Sequence, residues 1–318
     1  MPAFVDTMMY AGQPPWHGLG TYVGEEPRRS REALHAAGLA WSMENQPLFT
    51  CFEGPFETEM VHEVPTHRLV VRMDNHAQLG VVGKDYQPLQ NSEAFSFLDS
   101  LVEDGSMRYH TAGSLRGGKK VWMLGKIGST DIVPGDRVDQ FILGHNAHDG
   151  SGSFRIMFTT VRVVCANTAA IALEKGRGTG ISIRHTRNMK NRVADAQEAL
   201  GLAVKTHKEN EEFLRYLAGV ELTQDKVRNI IESLVPLPKE GLTPTRALNQ
   251  QAKILELFEN GKGQDIPGVA GTAWAFHNAV TEYTSHYRTS RGGHRFESAI
   301  LGSGSKMVEK ANRLLVTA

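Results

Sequence analysis

Apolar residues recur at helical spacing through 91–105, "NSEAFSFLDSLVEDG", where Ala94, Phe95, Phe97, Leu98, Leu101 and Val102 make one stripe. Asn91 or Ser92 is the expected cap and Gly105 the expected stop. A shorter helix is expected in "SREALHAAGLAW", with Ser30 as its cap and Gly38 ending it. Around these helices the pattern turns β-rich. "HRLVVRMDN" and "QLGVVGKDYQPLQ" read as a hairpin turned at Asp74 and Asn75, with Pro88 closing the second strand. "MRYHTAGSLRGGKKVWMLGKIG" reads as a second hairpin with its tip near "LRGGKK", where the glycines allow a tight reversal. "DIVPGDRV" supplies a Pro-Gly turn, and "QFILGH" and "FRIMFTTVRVVC" flank the Asp-Gly signal of "DGSGS". "NTAAIALE" is then expected to be a helix capped by Asn167 or Thr168.

After the basic stretch "GRGTGISIRHTRNMKNR" the texture becomes helical, over about 191–216, 223–234 and 245–260. "VPLPKEGLTP" separates the last two as a proline-punctuated loop, with Thr223 and Thr243 as plausible helix starts. "GTAWAFHNAVTEYTSHYRTS" and "SKMVEKANRLLV" complete the pattern on either side of a basic loop rich in glycine and serine, and no internal repeat is evident. The expected fold class is α+β: a largely antiparallel β-sheet with packed helices, followed by a helical C-terminal part. The expected division is 1–186, an α+β domain with β-hairpins, and 187–318, mainly helical.

Composition narrows the class without naming a task. The 318 residues, 40% apolar and 22% charged, suit a folded protein with one large domain or two ordinary ones. Two cysteines far apart, Cys51 and Cys165, and a start without a basic and then apolar run point to a reducing cytoplasm. No apolar run reaches the ~18 residues of a membrane span, so a soluble protein is expected. The formal net charge is zero, but the cations are clustered. Residues 105–126 carry Arg108, Arg116, Lys119, Lys120 and Lys126 without an acid, and 176–192 carry Arg177, Arg184, Arg187, Lys190 and Arg192. Such segregation fits a basic face, although acids from a neighbouring segment would make it an ordinary solvated surface.

Two chemistries compete in "HNAHDGSGSFRIMFTTVRVVCANT". His145, His148 and Asp149 are metal-ligand types, yet positions three apart on a strand point to opposite faces. Cys165 before a helix start would be a candidate nucleophile, but a turn around 150–151 leaves the two histidines roughly 26 Å away along the strand. A small buried hydrophobe is the plainer role for that thiol. Phosphate-loop motifs fail on spacing: "GSGSKM" lacks the four-residue interval, and neither "GKGQDIPG" nor "GRGTG" follows a strand. No nucleotide hydrolysis, cofactor or metal is therefore expected.

Cations also alternate with aromatics: Arg108 with Tyr109, Lys120 with Trp122, Phe154 with Arg155, Phe158 with Arg162. Cations neutralise phosphates and aromatic faces stack on unpaired bases, so this pattern suits single-stranded nucleic acid. The candidate contacts are Arg108, Arg116, Lys119, Lys120, Arg155, Arg162, Arg184, Arg187, Lys190 and Arg192, with Tyr109 and Trp122 as stacking rings. The competing reading places the aromatics in the core and leaves only the cations outside.

"PPWHGLG", "DYQPLQNSEAFSFLD", "AGSLRGGKKVWMLGKI", "HDGSGSFRIMFTTVRVVCANTAAIAL" and "GTAWAFHNAVTEYTSH" together, in order over most of the chain, resemble the phage/plasmid-like protein family, a domain of unknown function. That resemblance carries over no catalytic residues. It implies a mobile genetic element in a bacterial cytoplasm. The order of hairpins and helices is also similar to that of phage single-strand annealing proteins, which gather into oligomers on DNA; this is a likeness of topology alone. The expectation is a nucleic-acid-binding homo-oligomer acting on single-stranded DNA. The alternatives are an enzyme using Cys165 or the His145, His148 and Asp149 group, and a factor acting on a host protein.

Overall fold

The computed structural model describes residues 5–12, 20–24, 27–53, 59–162, 167–171, 181–186, 189, 210–239, 243–288, 298–299 and 302–317, with the backbone alone given for 59, 161–162 and 167–171. Strand β1 (Val5–Tyr10) pairs with the short β2 (Thr21–Tyr22) and is followed by helix α1 (Ser30–Ala36). Strands β3 (Met43–Glu53), β4 (Glu59–Arg72) and β5 (Gln78–Gly83) form a three-stranded antiparallel sheet. Helix α2 (Asn91–Phe95), a 3₁₀ turn over Ser96–Leu98 and α3 (Asp99–Glu103) lead into β6 (Arg108–Leu115), β7 (Lys120–Val133), β8 (Asp136–Ala147) and β9 (Phe154–Arg162). The main sheet runs β10-β9-β8-β7-β6-β1-β2, where β10 is Asn167–Ile171, and β11 (Ile181–Ile183) pairs with the other half of the β9 edge. Except for β1 with β2, its pairs are antiparallel.

The antiparallel sheet, its packed helices and the helical C-terminal part agree with the fold class expected from the sequence. Three local expectations need correction. Residues 167–171 are a strand, not a capped helix: Asn167 pairs with Arg162 and Ile171 with Phe158. The open edge of β9 offers a ladder of backbone partners, and this outweighs the alanines' strong intrinsic preference for helix, which amounts to only tenths of a kcal/mol per residue. Ser30 does not cap α1. Its N–H and hydroxyl donate to the Asp99 carboxylate at 2.6 and 2.9 Å, and the cap position is Arg29. The stripe over 91–103 is also not one helix, because the 3₁₀ turn interrupts it, and its cap position is Gln90 instead of Asn91 or Ser92, the Asn91 amide being used on the Leu39 carbonyl. Phe95 and Phe97 both meet Phe154, with ring centroids 6.2 and 5.9 Å away, although residues two apart do not share a face of a regular α-helix. Strands β1, β2 and β3 had no sequence expectation.

Strand alternation gives the main sheet two apolar faces. Val121, Met123, Ile142, Ile156 and Phe158 pack with α1, α2 and α3 on one face. Trp122, Leu124, Phe141, Leu143 and Met157 form the other. The helix described over 210–219 (α4), α5 (Gln224–Leu234), α6 (Thr245–Asn260), α7 (Ala273–Glu282) and α8 (Ser303–Thr317) share a third cluster. Ile132 and Val138, at the β7–β8 turn, belong to that cluster too. Trp274 there donates its indole N–H to the fully buried Asp136 carboxylate at 2.8 Å, tying the turn to α7. Among the described residues no helix is long and apolar enough to cross a membrane.

Candidate functional site at the hairpin tips

Two hairpin tips of the main sheet lie side by side. At the β6–β7 tip Arg116, Gly117 and Gly118 all have positive φ (58°, 70° and 89°), which makes the reversal tight. Asp6 on β1 accepts from the Gly117 and Gly118 N–H groups at 2.6 and 3.3 Å and holds the loop down. At the β8–β9 tip Asp149 accepts from Ser151 N–H at 2.9 Å, with Gly150 at φ 75°. His148 N–H donates to the Lys119 carbonyl at 2.8 Å and joins the two tips. The three-stranded sheet seats on them. A Cβ added to Gly80 of β5 would lie 2.6 Å from Asp149 Cα, so glycine is what allows the approach. Arg72 of β4 lies 4.5 Å over the Trp41 ring and grips Asp74 with two hydrogen bonds of 2.6 and 2.7 Å.

This arrangement sorts the cations proposed from the sequence. Register sets His145 opposite Trp122 and Arg155, and Lys120 opposite Ala147. Ser182 of β11 pairs with Arg155, which brings Arg184 beside the same tip. Arg116, Lys119, Lys120, Arg155 and Arg184 therefore gather at one end of the sheet. Arg155 and Arg184 are exposed, Arg116 and Lys119 half-buried, and Lys120 buried. Arg108 and Arg162 lie seven residues along β6 and β9 from Leu115 and Arg155, roughly 23 Å towards the other end. The side chain of Arg162, and all of Arg187, Lys190, Arg192 and Cys165, lie outside the described residues.

The aromatic partners are not presented to a ligand. Tyr109 is 1% exposed and donates its hydroxyl to Asp99 at 2.7 Å; burial first, and then that carboxylate, push its ionisation up. Trp122 is 2% exposed within the second apolar face, and Phe154 and Phe158 are core as well. Alternation explains the split: Arg108 and Tyr109 are neighbours in sequence and point to opposite faces.

The histidines beneath the tips form a structural cluster. Asn91 donates its amide to the Leu39 carbonyl at 2.9 Å, so its oxygen is left to accept from His148 Nε2 at 3.0 Å. His148 Nδ1 then faces the Asn146 amide nitrogen at 3.5 Å, whose other hydrogen goes to the Leu89 carbonyl at 3.1 Å. A second proton on His148 would meet a donor. Burial holds His148 and His145 down to about 3, with neighbouring histidines adding for the first, and Lys120 and Arg155 for the second. His185 stacks on Tyr86 with centroids 4.8 Å apart and is held to about 4 by burial. His145 lies on the Trp122 face while His148 packs edge-on against Trp41, 5.5 Å away, so the strand separates them as its period requires. Among the described residues no group of three His, Cys, Asp or Glu side chains is placed to hold a metal. Sequence reasoning passed over Asn91, Asn146, Tyr86 and His185 as site residues. "HNAH" marked the place of Asn146, but nothing local signals that His185 returns beside Tyr86.

No curated protein and no solved structure matches the chain. The family model described as "Domain of unknown function (DUF932)" matches residues 78–303, from β5 through both hairpin tips to the start of α8. That is well over half of the sequence, and the chain belongs to this family.

Proposed function

We propose that this chain binds nucleic acid through its hairpin tips, with single-stranded DNA as the preferred form. We place it in the bacterial cytoplasm as an oligomeric recombination protein of a phage or plasmid. One observation carries the reading: Arg116, Lys119, Lys120, Arg155 and Arg184 come from separate segments to one end of the sheet. Three described carboxylates near that end accept hydrogen bonds within the fold, Asp6 from Gly117 and Gly118, Asp149 from Ser151, and Asp74 from Arg72. With Tyr109 and Trp122 inside, phosphate contacts supply the affinity, so binding is expected to depend steeply on salt and weakly on sequence.

Fluorescence anisotropy with labelled single-stranded and duplex oligonucleotides tests this. The four cations that reach the surface, Arg116, Lys119, Arg155 and Arg184, predict a log–log salt slope of about −2.8 on single strands, and Lys119→Glu with Arg155→Glu is expected to reduce it by about 1.4. Absence of saturable binding at low salt, or a double variant that binds as the parent does, overturns the reading.

A further inference from the structure

A cavity of about 340 Å³ opens between the end of α5, the start of α8 and the turn after α7. One wall is apolar, made by Val235, Pro236 and Met307. The other carries Arg288, Lys306 and Lys310, and no acid is among the described residues that line it. Lys310 is anchored by the Ser233 carbonyl at 2.5 Å, which fixes its ammonium at the cavity edge. Arg288 Nη1 is buried without a hydrogen-bond partner, and a buried guanidinium N–H left unpaired is costly. Burial pushes its ionisation down, Tyr283 opposes that, and the nearby Arg246 adds to it. Three cations line one wall with a donor unused, and no carboxylate faces them among the described lining residues.

We infer that this cavity binds a phosphate ester, its anionic oxygens on Arg288 and Lys306 and its organic part against Val235, Pro236 and Met307. A guanidinium fork matches phosphate oxygens, and a volume near the lower end of small-molecule sites, ~300 Å³, admits a compact ester. The ester is either a free mononucleotide or one residue of a nucleic-acid strand. The site is independent of the hairpin tips.

Calorimetry on the full chain with inorganic phosphate, adenosine 5′-monophosphate and a short single-stranded oligonucleotide tests it. Arg288→Gln is expected to weaken phosphate and the monophosphate about tenfold, Arg288→Lys to restore part of the loss, and Met307→Ser to weaken the monophosphate alone. Lys306 is exposed, so Lys306→Gln leaves the fold intact and should weaken binding in the same order. Repeating the oligonucleotide titration in a Lys119→Glu background separates the sources. A loss with Arg288→Gln there assigns the site to nucleic acid, and a loss confined to the monophosphate assigns it to a free ester. Parent-like affinities in Arg288→Gln and Lys306→Gln, or no heat with any of the three probes, overturn the inference.

Discussion

Acid should unfold this protein well above the range in which carboxylates titrate. Burial, the largest cause for each, holds His145 and His148 to about 3 and His185 to about 4. Each returns to ~6.5 in the unfolded chain. The folded values lie below the unfolded ones, so the unfolded chain binds protons that the folded one refuses. Stability is therefore complete above about pH 6.5 and is lost as pH falls towards the folded values. Between pH 7 and pH 5 each histidine costs roughly 2 kcal/mol, about 6 kcal/mol for the three, against a net stability of ~5–15 kcal/mol. His110, lowered by burial and by Lys126, acts in the same direction. Chemical denaturation at a series of pH values, followed by near-ultraviolet circular dichroism, should show unfolding free energy falling by roughly 3.5 kcal/mol per unit near pH 5.5. His148→Gln keeps an amide donor for Asn91 and should remove about a third of that slope. A slope below about 1.4 kcal/mol per unit, equivalent to one proton, would refute the buried neutral cluster.

Tyr109→Phe removes the hydroxyl that donates to Asp99 and should cost about 1.5–3 kcal/mol of stability in the same denaturation assay, with the ring's packing unchanged. Gly80→Ala drives a Cβ into the Asp149 backbone; it should destabilise by ~1–3 kcal/mol, and amide exchange should quicken at the 148–153 turn. Thr223 accepts from Lys226 N–H at 3.3 Å as the cap of α5, so Thr223→Ala should cost about 1 kcal/mol in thermal unfolding. Cys51 is exposed on β3, so a thiol reagent should label it in the folded protein, and Cys51→Ser should abolish that fast phase.

Local pattern alone determined much of the fold. Turn chemistry at Asp74-Asn75, Gly117-Gly118, Pro134-Gly135 and Asp149-Gly150 marked hairpins that the structure contains, because each turn asks for a backbone conformation that few residues supply. Periodicity located α5 and α6 to within a residue, since an amphipathic face of three or more turns is a strong local signal, and Thr223 caps the first as expected whereas Pro244, not Thr243, precedes the second. The basic tip over 116–120 was also legible as composition. Tertiary structure decided what a strand edge or a distant contact controls. Residues 167–171 became a strand because β9 had an edge to pair, and Ser30 gave up its capping role because Asp99, 69 residues away, took its donors. The opposite fates of Arg108 and Tyr109 followed from which face of the sheet the first three helices cover. The placing of Arg184 at the same end as Arg155, and of His185 on Tyr86, depends on a chain return that no local signal encodes: hydrophobic burial fixes the layers, and only the folded layers fix which polar groups become neighbours.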